Sequence, residues 1–85
     1  MKEIRWNVLE NERLKKARGA SFEDLINSKL IKIMKNPKHV NQNIILFEYK
    51  KYIWVVPFVE EKEYYFLKTL FPSRKYTKIF KGAMI

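Results

Sequence analysis

After Glu63 the chain carries Lys68, Arg74, Lys75, Lys78 and Lys81 and no carboxylate. Cations left unbalanced beside aromatic side chains suit a polyanion, nucleic acid above all. If Ser73 to Lys81 is a helix, Arg74, Lys78 and Lys81 share one narrow face, while Tyr76, Ile79 and Phe80 point the opposite way. Such a helix docks by its apolar side and offers three cations on the other. The same pattern also describes a solvated helix whose charges only keep the protein in solution. Lys15, Lys16 and Arg18 form a second cluster, equally explained as favourable charge at a helix C-terminus. His39 is the only histidine, so an acid–base pair of two imidazoles is ruled out. Imidazole is nevertheless the side chain best suited to proton transfer near neutrality. Tyr64, Tyr65 and Tyr76 could stack on bases or fill a core.

The elements that must position these residues can be read in order. The 85 residues are enough for one domain, spanning 1–85, and 47% hydrophobic residues with only two glycines argue against disorder. The absence of cysteine excludes a disulfide framework and a thiol nucleophile. The formal charge of +9 favours an anionic partner. No apolar run is long enough to span a bilayer and no signal-peptide core opens the chain, so a soluble, cytoplasmic protein with no membrane partner is expected. Nothing in the sequence singles out a metal site, a phosphate-cradling glycine loop or a cofactor.

Ile4–Trp6 reads as a short strand. Asn7 and Glu10 have the spacing of a helix start, and a helix is expected from Val8 to Arg18, closed by Gly19. Ser21 and Asp24 repeat that signal for a second helix, from Phe22 to Ser28. Leu30–Met34 alternates as a short strand, and residues 36–43 have loop composition. Ile44–Tyr49 and Tyr52–Val59 are apolar on both faces and read as interior strands joined by a tight turn at Lys50-Lys51. Pro57 cannot donate to a ladder, which implies a bulge or an edge there. Glu63–Phe71 makes a further strand, and a final helix starts at Pro72-Ser73 and ends at Gly82. The sum is an α+β domain: β-α-α, then an antiparallel meander of three to four strands, then a C-terminal helix, with the helices on one face.

Three pieces of sequence resemble the BrnT-type toxins of bacterial type II toxin–antitoxin systems, which have a RelE-like ribonuclease fold. They are Trp6-Asn7 followed by a basic helix ending in Lys16-Ala17-Arg18-Gly19, the start Ser21-Phe22-Glu23-Asp24, and Phe71-Pro72-Ser73-Arg74-Lys75-Tyr76-Thr77. Ala17 stands where the family usually has a histidine, and Pro72 and Tyr76 also depart from its pattern. The resemblance implies an endoribonuclease that cleaves mRNA, free or ribosome-bound, and inhibits translation. It also implies a cognate antitoxin that neutralises the toxin and supplies DNA binding, so that operator DNA is met only through the toxin–antitoxin complex.

Under that resemblance the residues take roles. Metal-independent cleavage uses the ribose 2′-OH as nucleophile and needs a base, an acid and cations for the developing phosphorane charge. Arg74 matches the arginine of the family's last motif, and its planar fork can hold two phosphate oxygens. Its structural alternative is a pair with Glu10 or Glu12. Lys68, on a strand with Tyr64, Phe66 and Leu70, either reaches the sheet rim or lines a site where desolvation would suit it as a base. Lys75 and His39 complete the catalytic candidates. Lys78, Lys81, Tyr76, Lys15, Lys16 and Arg18 are the candidates for holding RNA. The alternative is a non-catalytic module that binds nucleic acid or protein through the same basic surface.

Overall fold

The computed structural model describes residues 2–81. Capping side chains set where its first helices begin. After β1 (Glu3–Trp6), the Asn7 side chain accepts from the Glu10 amide at 2.9 Å and starts α1 (Val8–Arg18). Gly19 ends it in the left-handed region at φ 83°, its N–H donating to the Lys15 carbonyl. Ser21 and Asp24 then exchange bonds of 3.1 and 3.0 Å in a full capping box that opens α2 (Phe22–Ile26). This helix stops two residues short of the expected Ser28. There the Ser28 hydroxyl and amide both donate to the Leu25 carbonyl and close the turn. Buried Asn11 ties the two helices, donating to Glu23 and accepting from the Phe22 amide, both at 2.7 Å.

The strands β2 (Lys29–Lys35), β3 (Asn43–Tyr49), β4 (Tyr52–Glu60) and β5 (Tyr64–Leu67) form the expected antiparallel meander, in the sheet order β1-β5-β4-β3-β2. One correction is at the edge, where β1 joins parallel to β5. A second concerns the strand expected over Glu63–Phe71, which is split. Phe58 pairs with Leu67, but Val55 pairs with Phe71, so three residues, Lys68 to Leu70, lie opposite Val56 and Pro57. That is a bulge, and it sits where proline offers no N–H; the Pro57 carbonyl still accepts from the Lys68 amide at 2.8 Å. Beyond it the chain re-pairs with β4 as the two-residue β6 (Phe71–Pro72) and enters α3 (Arg74–Lys81). Gly82, expected to end that helix, lies outside the described residues.

The third correction is that helices cover both faces. Leu14 of α1 and Phe22 and Leu25 of α2 pack on the face presenting Phe47, Trp54, Val56 and Phe58. On the other face Ile44, Leu46, Ile53 and Val55 meet Phe71 and Tyr76. The bulge explains this division: Leu67 and Leu70, three apart, share the first core, which puts Phe71 on the second. Among the described residues no helix is long and apolar enough to cross a membrane.

The final helix is fixed by a hydroxyl rather than by its apolar stripe. Thr77 is fully buried; its Oγ1 accepts from the Ile53 amide at 2.9 Å and donates to the Ser73 carbonyl at 2.6 Å. Ser73 in turn donates its amide to the Ile53 carbonyl and accepts from the Tyr76 amide through its hydroxyl. Turned this way, α3 leaves Ile79 59% and Phe80 39% exposed, so they do not form the docking face expected of them. Only Tyr76 of the three packs on a core.

Thr77→Val keeps the shape but leaves the Ile53 N–H buried without an acceptor, and should destabilise the fold by about 2 kcal/mol in urea unfolding. Ile79→Ala on the exposed side of the same helix should stay within about 0.5 kcal/mol. Equal effects would remove the hydroxyl clamp from the account.

Four carboxyl groups are held below their usual range: Glu23 by the Asn11 amide, Asp24 by the Ser21 backbone N–H, Glu10 by Arg13 and Glu48 by Lys81. A depressed carboxyl contributes stability that is complete above its unfolded value and lost as pH falls through the folded one. The urea midpoint should therefore decline as pH is lowered below about 4. A midpoint that stayed flat through that range would show that these contacts do not hold in solution.

Candidate nucleic-acid interface

From Phe71 to Lys75 the chain forms a ridge with a chamber on either side. Phe71, Ser73, Lys75 and Tyr76 line one chamber, and Pro72 and Arg74 line the other. Up to Ser73 this is the ordinary alternation of an extended chain, anchored on β4 by the pairs Trp54–Pro72 and Val55–Phe71.

The larger chamber is a cleft of about 600 Å³ floored by Ile44, Val55 and Pro57. The bulge contributes Lys68 and Thr69 to one wall, and the β2–β3 loop contributes His39 to another. That loop is tied together at its base. The Asn36 amide donates to the Gln42 carbonyl, the Gln42 amide to the His39 carbonyl, and the Lys38 amide to the Asn36 side chain. His39, Lys68, Lys75 and Tyr76, scattered over 38 positions of sequence, thus border one space. Strand β5 ends at Leu67, and Lys68 stays on the side of Phe66 as expected, whereas Leu70, expected beside them, packs with Leu67 in the first core. Lys68 is exposed, with its ammonium 5.4 Å from the centre of the Phe66 ring.

The smaller chamber, about 390 Å³, is a recess lined by Arg18, Lys50, Tyr52, Trp54, Pro72 and Arg74. Three cations reach it from the end of α1, the β3–β4 turn and the start of α3. Among the described residues none of the three forms an ion pair, and neither do Lys68 and Lys75 in the cleft. Among the described residues neither Glu10 nor Glu12 pairs with Arg74: Glu10 bonds Arg13, and no ion pair involves Glu12. Unpaired cations converging on a concavity attract an anion more strongly than cations already neutralised by carboxylates.

The other candidates are placed differently. Lys81 is half-buried and paired with Glu48, and Lys15 is paired with Asp24 at 3.3 Å. Lys16 and Lys78 are exposed and line neither chamber. Of the expected α1 cluster, only Arg18 enters the recess. Lys50 and Tyr52 were not singled out by their sequence. A signal for Lys50 was present, however, in the turn that lacks Asn-Gly. Lys50 and Lys51 sit at φ 52° and 69°, a left-handed pair that side chains other than Gly and Asn rarely adopt. The Trp54 indole N–H donates to the Tyr49 carbonyl at 3.1 Å and holds the turn's near end.

Strained backbone is retained where it positions a useful group. Replacing Lys50-Lys51 by Asn-Gly should stabilise the fold by roughly 1 kcal/mol while weakening the binding of a single-stranded RNA oligonucleotide. The slope of log affinity against log salt should fall by about 0.7, one phosphate contact on a single strand. Lys51→Gly alone should raise stability and leave the salt slope intact. Unchanged affinity in the double replacement would remove Lys50 from the interface.

No protein-family model matches the chain, and no curated protein matches its sequence. Among solved structures, that of the Brucella abortus ribonuclease toxin BrnT is similar, with a TM-score of 0.57 over 86% of this chain and 97% of that one. The two sequences are 14% identical over this match. The family resemblance carried by Trp6-Asn7, Ser21–Asp24 and Phe71–Thr77 therefore meets a likeness in three dimensions: this chain has the fold of the BrnT ribonuclease toxin.

Proposed function

We infer that this protein is the toxin of a type II toxin–antitoxin system, an endoribonuclease that cleaves mRNA in the cytoplasm and is neutralised by a cognate antitoxin. The observation that carries the reading is the pair of chambers flanking the Phe71–Lys75 ridge, with five cations that no described carboxylate neutralises. The fold shared with a ribonuclease toxin supports it.

The ridge suits cleavage through the ribose 2′-oxygen. An RNA strand crossing it places one phosphate toward Lys68 and Lys75 in the cleft and a neighbouring one toward Arg18, Lys50 and Arg74 in the recess. The ribose 2′-oxygen attacks the phosphorus, the bond to the 5′-oxygen breaks, and the products end in a 2′,3′-cyclic phosphate and a 5′-hydroxyl. The cleft lysines stabilise the charge gathering on the phosphate oxygens. His39, bordering the cleft, is the group for moving the proton between the attacking and leaving oxygens. Arg74 grips the adjacent phosphate as a fork and fixes the strand in line. No metal takes part in these steps. DNA binding belongs to the antitoxin, so operator DNA is reached through the complex.

A second reading rests on a specific observation. The His39 ring is exposed, and among the described residues its nitrogens make no hydrogen bond that would orient it. That suits a module that holds RNA or protein on the same basic surface without cutting.

The two readings separate on inducible expression in bacteria with transcript 5′ ends mapped alongside growth. Wild type should arrest growth and generate new 5′-hydroxyl ends. His39→Ala should lower the cleavage rate by about 100-fold or more while RNA affinity is kept. Arg74→Ala should lose both affinity and cleavage. Cleavage by His39→Ala at the wild-type rate removes that residue from the mechanism. Soluble wild type that yields no new ends leaves the binding module as the function.

A further inference from the structure

On the sheet face that carries α1 and α2, the helices leave a further groove uncovered. Its volume is about 660 Å³, and Ile4, Leu30, Ile33, Ile45 and Tyr65 are among the side chains lining it. Ile4 is 42% exposed, Leu30 54% and Ile33 56%, three large aliphatic groups in one concavity rather than scattered singly. The groove crosses the sheet from Ile4 of β1 to Leu30 and Ile33 of β2, the last strand, whose outer edge pairs with no described strand.

The charge around that edge is one-sided. Between Asp24 and Glu48 the chain holds Lys29, Lys32, Lys35 and Lys38 and no acid. None of these four lysines forms an ion pair among the described residues. The strand also carries an irregularity between Leu30 and Lys32. Lysines and bulges on an edge strand discourage pairing with an arbitrary neighbour. Pairing with β2 of a second copy would set lysines against lysines. An acidic strand reverses that penalty and turns the guard into a selector.

The register states what such a strand looks like. Lys29 pairs with Glu48 and Lys32 with Leu46 on the α3 side of the sheet, whereas Leu30 pairs with Phe47 and Ile33 with Ile45 on the groove side. An added strand therefore needs carboxylates on one face and apolar side chains on the other, alternating with a period of two. We propose that the free edge of β2 and the groove beside it receive an extended segment of a partner protein in which acidic and apolar residues alternate. The segment's apolar side chains enter the groove, its carboxylates meet Lys29 and Lys32, and its backbone extends the sheet. The inference does not depend on cleavage of RNA; if the protein is a toxin, this is where an antitoxin grips it without occupying the cleft or the recess.

The probe is a synthetic seven-residue peptide of alternating glutamate and valine, titrated into the 15N-labelled full-length protein to about 1 mM. Shifts and slowed amide exchange are expected along β2, with Ile33→Glu and the pair Lys29→Glu, Lys32→Glu each weakening binding at least tenfold. A peptide of the same pattern with N-methylated valines, which cannot donate to an edge, should not bind. Ile33 is already mostly exposed, so Ile33→Glu should fold and cleave RNA as wild type does, which keeps this result separate from that of the nuclease reading. Three outcomes overturn the proposal: no binding, shifts confined to Lys68, Arg74 and Lys75, or β2 amides already protected in a sedimenting dimer.

Discussion

A missing hydrogen bond at Pro57 organises the functional side of this molecule. The residue lies in the middle of β4, paired with Ile44 on one side, and has no N–H to offer on the other. The neighbouring strand responds by inserting a residue. Lys68 to Leu70 bow outward, and Phe71 and Pro72 rejoin β4 one register later. The bow puts Lys68 and Thr69 at the mouth of the cleft whose floor is Pro57 itself. The new register sends Phe71 to the far face, where it can support α3.

Beyond the bulge, few but well-satisfied polar contacts hold the chain. Thr77 and Ser73 take both backbone groups of Ile53, at the point where β4 has lost β5 as a neighbour. The helix is thereby fixed through its first turn, and its cations are left to solvent or to Glu48. This economy has a physical reason. An eight-residue helix is too short to be stable alone, and burying a wide apolar face would have closed the cleft. The exposed Ile79 and Phe80 are the complement of that choice.

Local signals in the sequence carried much of the fold. Asn7–Glu10 and Ser21–Asp24 marked two helix starts, and Gly19 marked an end, because caps depend only on residues three or four apart. The two-sided apolar runs of β3 and β4 marked the sheet's centre for the same reason. Pro57 announced a bulge or an edge but not how the chain would resume, since the length of the bow depends on Leu70 finding the first core. The side of the sheet taken by α3 was illegible for a related cause: its apolar stripe suggested Ile79 and Phe80, while a threonine bond to a distant strand decided its rotation. At the site, residue types were readable and their grouping was not. Arg74 and Lys75 are neighbours in sequence yet open to different chambers, and His39 shares a cleft with Lys68 only because the β2–β3 loop folds over Ile44.

The bulge also makes the register of the chain, and not only the identity of its side chains, a determinant of recognition. Straightening the bow without shortening the chain would set Leu70 opposite Val55 and Phe71 opposite Trp54, and exchange the faces of everything up to Ser73. Every residue of the ridge would keep its chemistry while the two chambers traded linings. Relatives built on this fold can therefore diverge in what they grip through a shift of one register there, a change that residue-by-residue substitution would need many steps to match.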